Sequence, residues 1–229
     1  MRRKGGAGDG EIAPRILRIC ILGFIVGFTV LAIQRTFQID LDIFILGYIV
    51  VAAAVIIMAY IINVVYNMRY LKRANALLPL LRSGRVEEYI AEMETLMQRA
   101  KGQKLKNFLG VNLSAGYGRA GQDAKAAALL EGLSEKWFPK EARMVRNLNL
   151  CLCYFHIGED AKGFELYNAS QKDFEPFRAN SPHSRSLAAL DISVAVAKGE
   201  YKYAQKLLDG ARNTWNADEF QEVFDEIEK

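Results

Sequence analysis

The stretch CYFHIGEDAKGFELY, Cys153 to Tyr167, decides how the chain is read. It sets a thiol and an imidazole three residues apart, with Cys151 just upstream and Gly158 in its middle. Read as chemistry it suggests a metal or nucleophile site; read as architecture it is a helix, a glycine turn and a second helix. Two ligands are too few for zinc, which takes four protein ligands in structural sites and three in catalytic ones. The other histidine, His183, stands beside Pro182 in a loop. On a helix Cys151 and Cys153 point to opposite sides, whereas Cys153 and His156 share a face. Free cysteine is among the most buried residue types, so both thiols are expected in a core. Gly158 is then the informative residue.

The same glycine recurs. Gly84, Gly121, Gly158 and Gly199 are spaced by 37, 37 and 41 residues. Four residues before them stand Leu80, Tyr117, Tyr154 and Ala195; five after, Tyr89, Ala126, Gly163 and Ala204; nine after, Met93, Leu130, Tyr167 and Leu208. Ala100, Trp137, Phe174 and Trp215 follow at plus sixteen, and Pro139 and Pro176 at plus eighteen in the middle two copies. Glycine takes a positive φ without steric cost, so it ends one helix and turns the chain into the next. A small residue at plus five lets two backbones approach, a large apolar one at plus nine fills the gap, and proline stops the second helix. The register therefore predicts a series of helix pairs.

This pattern resembles the tetratricopeptide repeat family. Leu113, Tyr117, Gly121, Ala126, Leu130 and Pro139 match its motif in one copy, and Leu150, Tyr154, Gly158, Gly163, Tyr167 and Pro176 in the next. The resemblance covers roughly Met68 to Trp215. The copies exceed the family's usual length of about 34 residues, the early tryptophan is absent, and the fourth copy lacks the leucine, tyrosine and proline; a related helical-hairpin repeat fits the same pattern. The resemblance implies that the first helices line a concave groove for a segment of another protein. Positions two, three, six and ten before each glycine would face it. They are Arg119, Gly118, Ala115 and Val111, then His156, Phe155, Leu152 and Leu148, then Ala197, Val196, Ser193 and Ala189. The bland alternative is that Leu148 and Leu152 pack against neighbouring helices.

Ahead of the array lie two uncharged runs, Ile19 to Gln34 and Ile43 to Met68. As helices they measure about 24 and 39 Å, against a hydrocarbon core of about 30 Å. A cleavable export signal is the alternative for the first, but only RTFQIDLD, Arg35 to Asp42, separates the two, and a transmembrane hairpin is expected. Arg2, Arg3, Lys4, Arg15 and Arg18 precede the first run, and Arg69, Lys72, Arg73 and Arg82 follow the second. Basic residues stay on the cytoplasmic side, so both termini are expected there, in a bacterial cytoplasmic membrane. Gly23 and Gly27 form a small-residue face that suits the second span or a second copy of the chain.

The expected fold is all-α: a basic, glycine-rich flexible tail over residues 1–15, a two-helix transmembrane hairpin over 16–68, and a cytoplasmic α-solenoid over 69–229. Asn216 would cap a final helix bearing Phe220, Val223, Phe224 and Ile227 on one stripe. The glycines of MRRKGGAGDG lack the preceding strand and following helix of a phosphate cradle. Among the last fourteen residues Asp218, Glu219, Glu222, Asp225, Glu226 and Glu228 face Lys229 alone, and the folded part lacks the basic stripe that nucleic acid requires. No motif for catalysis, metal or cofactor emerges. The expectation is a membrane-anchored, non-enzymatic scaffold that binds an unidentified protein. Alternatives are a subunit of a membrane complex whose hairpin is the working part, and an enzyme with a site assembled across helices.

Overall fold

The structure, a computed structural model, describes residues 9–37 and 40–215. Among these every regular element is helical: α1 (Asp9–Phe37), α2 (Leu41–Arg82), α3 (Val86–Arg99), α4 (Gln103–Arg119), α5 (Asp123–Glu131), α6 (Lys140–His156), α7 (Asp160–Phe174), α8 (Ser184–Ala197) and α9 (Tyr201–Thr214). Short 3-10 helices lie at Glu135–Trp137 and Glu175–Phe177. The chain divides into two compact units, Met1–Val65 and Tyr66–Lys229. The expected capping helix from Asn216 onward falls outside the described residues, as do residues 1–8 of the expected tail. Residues 9–15 of that tail are helical.

Two spans were expected, and among the described residues one helix is long and apolar enough to cross a membrane: α2, with 42 residues. Of α1, which is helical through the whole first run, the stretch Gly23–Phe37 counts as a shorter apolar helix. The start of α2 is fixed by Asp40, whose carboxylate accepts the Asp42 N–H at 3.0 Å, an orphan donor of the first turn. Along the apolar run Ile43, Ile49, Val55, Ile56, Ile61 and Ile62 are all exposed. They project around the whole helix, so α2 is not the buried rod of a soluble core.

In the second unit the four register glycines adopt one conformation. Gly84, Gly121, Gly158 and Gly199 have φ of 77, 67, 76 and 74°. After each, the next residue's N–H reaches back to the carbonyl four residues before the glycine: Arg85 to Leu80, Gln122 to Tyr117, Glu159 to Tyr154 and Glu200 to Ala195, at 2.8–2.9 Å. This six-residue closure satisfies carbonyls that a helix end leaves open. The positive φ is what reserves the position for glycine.

The plus-five positions behave as small-residue contacts require. Ala126 and Ala204 are buried at 0 and 5% exposure, and a Cβ on Gly163 would stand 2.7 Å from the Phe155 ring. The first copy inverts the arrangement. Tyr89 occupies plus five, and the missing volume is found opposite it, where a Cβ on Gly116 would stand 2.7 Å from the Tyr89 ring.

Four apolar clusters follow one another along the unit. The first gathers Ala74, Tyr89, Met93 and Leu109 from α2, α3 and α4; the second Ala126, Leu130 and Leu150 from α5 and α6 with Val111 of α4; the third Met144, Phe174 and Leu190 from α6, α7 and α8; the fourth Ile192, Ala204 and Leu208 from α8 and α9. Each pair is thus completed by the first helix of the next, and α4 packs on α6 and α6 on α8. Arg146, 5% exposed, is satisfied at one cluster's edge: its Nε donates to the Leu130 carbonyl at 3.0 Å, and Nη1 to Glu135 and Asn147. A guanidinium at the carbonyl end of α5 also meets the negative pole of that helix.

Pro139 does not terminate a helix, as expected of it. α5 ends at Glu131, and Pro139 immediately precedes α6. Gly132 and Ser134 are poor helix continuers, and Leu133 instead folds its side chain against the backbone of Gly110.

Candidate functional site

The expected groove positions divide by register. Val111, Leu148 and Ala189, ten residues before each glycine, are all buried, the first two within the second and third apolar clusters. Physically they are core: α4, α6 and α8 meet there, and an apolar side chain between packed helices has no surface to offer. Toward the glycines the helices come to the surface. Ala115, Arg119, His156 and Val196 are exposed, and Leu152, Phe155, Ser193, Gly118 and Ala197 are half-buried. What remains accessible is a row of mostly apolar and small residues on the last turns of α4, α6 and α8, with Arg119 and His156 as its charged or polar members.

Phe155 is held in place. Its ring lies over Gly163 and meets Phe164 edge-on with centroids 5.3 Å apart. Ser193 is satisfied locally, its hydroxyl donating to the Ala189 carbonyl at 3.1 Å.

Sequence spacing joined Cys153 to His156; the structure adds Asp123. This carboxylate, in the first turn of α5, lies 3.2 Å from His156 Nδ1 and is close enough to act on the Cys153 thiol electrostatically. Nothing local in the sequence relates position 123 to positions 153 and 156, although 123 is two residues after one turn glycine and 156 two before the next. The arrangement does not activate the sulfur. Burial first, and then the negative Asp123, push the Cys153 thiol from 9.0 up to about 12; burial, then Cys153, do the same to Cys151. A nucleophilic cysteine needs a base that removes its proton and a setting that favours thiolate. Here the nearest partner is an anion that favours the thiol. Among the described residues no group of three or more His, Cys, Asp or Glu side chains could hold a metal ion.

Two clefts lie apart from the row. One of about 480 Å³ is lined by Glu131, Arg146, Tyr154, Lys162 and Glu165; another of about 310 Å³ is lined by Tyr167, Arg178, Asp191 and Tyr203. Several of their polar groups pair with one another: Tyr154 with Glu131 at 2.7 Å, Tyr167 with Asp191 at 2.7 Å, and Arg178 with Asp191. These bonds tie successive helices together.

No known protein family, curated protein or solved structure matches this chain, so its role is read from its own residues.

Proposed function

We propose that the chain is a membrane-anchored scaffold whose second unit is a short α-solenoid, similar to tetratricopeptide repeats, that docks a segment of another protein. The observation that carries the reading is the repetition of one turn geometry at Gly84, Gly121, Gly158 and Gly199, with α4, α6 and α8 packed in succession. Repeated helix pairs stacked in one direction build an extended surface, and such surfaces serve recognition. Ala115, Arg119, Leu152, Phe155, His156, Ser193 and Val196 would form it. Membrane attachment is through α2, whose apolar run is followed by Arg69, Lys72, Arg73 and Arg82. These basic residues support a cytoplasmic side for the repeats.

The test is photo-crosslinking in intact membranes from residues introduced at Ala115 and Val196, compared with the exposed positions Asn168 and Lys202. The scaffold reading expects adducts to a soluble protein from the first two and not from the others. Adducts confined to integral membrane proteins would favour a subunit of a membrane complex instead. Equal adducts from all four positions would remove the proposed groove.

A further inference from the structure

Two segments distant in sequence are brought together where the apolar run of α2 ends. The Tyr70 hydroxyl donates to the Arg99 carbonyl at 3.1 Å, the Tyr66 hydroxyl donates to the same carbonyl at 3.4 Å, and the Lys101 N–H donates to the Tyr66 oxygen at 3.0 Å. The two phenol rings pack at a tilt of 46° with centroids 4.8 Å apart. A carbonyl left open at the end of α3 is thus satisfied by the tyrosines of α2, and the α3–α4 turn is held against that helix. Arg73 and Arg99, one from each segment, both lie close enough to act on the Tyr70 phenol electrostatically.

The charge of the juxtaposed segments has one sign. No acidic residue occurs from Ile43 to Val86 or from Thr95 to Gln122. Within them Arg69, Lys72, Arg73, Arg99, Lys101 and Lys104 are all exposed. Tyrosine pairs beside basic residues, directly after an apolar helix, are the composition of a membrane interface.

We propose that the end of α2 and the α3–α4 turn form one cationic docking surface for the headgroups of anionic phospholipids. This rests on α2 crossing a bilayer, as argued above. Each basic residue near an anionic surface contributes about 1 kcal/mol, and the attraction decays within a Debye length. A lipid is preferred over a nucleic acid because the surface begins in the last turn of the apolar run, where lipid headgroups are present at high local concentration. The α3–α4 turn, 30 residues after Tyr70 in sequence, contributes to it because Tyr66 and Tyr70, together with the first apolar cluster, hold it there.

The experiment reads lysine acylation rates, by mass spectrometry, on the full chain in nanodiscs of phosphatidylcholine alone or with one-third phosphatidylglycerol. The proposal expects Lys72, Lys101 and Lys104 to slow by about fivefold in the anionic discs, the equivalent of about 1 kcal/mol. Lys172 and Lys202 should be unchanged, and 0.5 M salt should abolish the difference. The exposed double variant Lys101→Gln, Lys104→Gln should lessen the slowing at Lys72 while keeping helix content. Equal rates in the two discs, or equal slowing of all lysines, overturns the docking surface alone. A chain that elutes without lipid overturns the anchor as well.

Discussion

Tyr154 of α6 donates its phenolic hydrogen to Glu131 at the end of α5, 2.7 Å away, and Tyr117 of α4 makes the same bond to Glu94 of α3. Both partners are 23 residues apart. In both copies a lysine four residues after the next glycine also lies over the tyrosine ring: Lys125 over Tyr117 at 5.9 Å and Lys162 over Tyr154 at 5.5 Å. One tyrosine therefore joins its own pair to the pair before it. Tyr154→Phe should cost about 1.5 kcal/mol, the lower end for a charge-assisted bond because Glu131 can return to water. In a double-mutant cycle with Glu131→Gln most of that loss should appear as coupling. Additive losses would show that the bond joins nothing.

The turn glycines and a helical glycine should respond oppositely to the same substitution. Gly158→Ala forces a Cβ into the left-handed region at φ 76°, costing about 1–2 kcal/mol. Gly210 lies inside α9 with open space where a Cβ would go, so Gly210→Ala should stabilise by about 0.8 kcal/mol. Chemical denaturation of both variants checks the signs; a gain at Gly158 would contradict the turn assignment.

The helix pairs were legible in sequence because each turn compresses its requirement into one residue, glycine, and repeats it. Gly102 shows the limit. Its φ is 89°, yet it sits off the register, so alignment of the other four passes over it. Val111, Leu148 and Ala189, expected in the groove and found buried, show another: an apolar residue on an inner helix suits a groove or a core equally, and helix-to-helix distance decides which. Nothing local in the sequence marks Glu94, Glu131 and Asp123, because their partners lie 23 to 33 residues away. The hairpin's first span was read from the uncharged run Ile19 to Gln34, in which Gly23–Phe37 is a shorter apolar stretch, so among the described residues α2 alone meets the length and apolarity of a span.

The inverted contact of the first copy gives a sharper packing test. Tyr89 is 1% exposed, and its hydroxyl donates to the Asn112 carbonyl at 2.9 Å. Its ring is therefore fixed at both ends and cannot retreat from a new methyl group on Gly116. Gly116→Ala should destabilise by about 1–3 kcal/mol despite the better helix propensity of alanine. A melting temperature equal to or above that of the unchanged chain would refute the contact.

The buried thiols predict a loss of stability on the alkaline side. Cys151 and Cys153 are raised from 9.0 to about 12, mainly by burial. A folded pKa above the unfolded one means that folding favours the protonated thiol. The contribution is complete below pH 9 and is lost as pH rises from 9 toward 12. At pH 10 the unfolded thiol is mostly ionised and the folded one is not, so each cysteine weakens the fold by about 1.4 kcal/mol. Burial raises Tyr89 to about 12 as well, but from an ordinary value of 10.0, so its share begins a unit later. Denaturation midpoints of the full chain in detergent should fall between pH 8 and pH 10. The fall should be about two-thirds as steep in Cys153→Ala, because Cys151 and the raised phenols of Tyr89, Tyr117 and Tyr154 still contribute, each protein being referred to its own value at pH 8. An unaltered slope in that variant would mean that Cys153 is open to water in the folded chain, and Asp123 would then face solvent rather than a buried thiol.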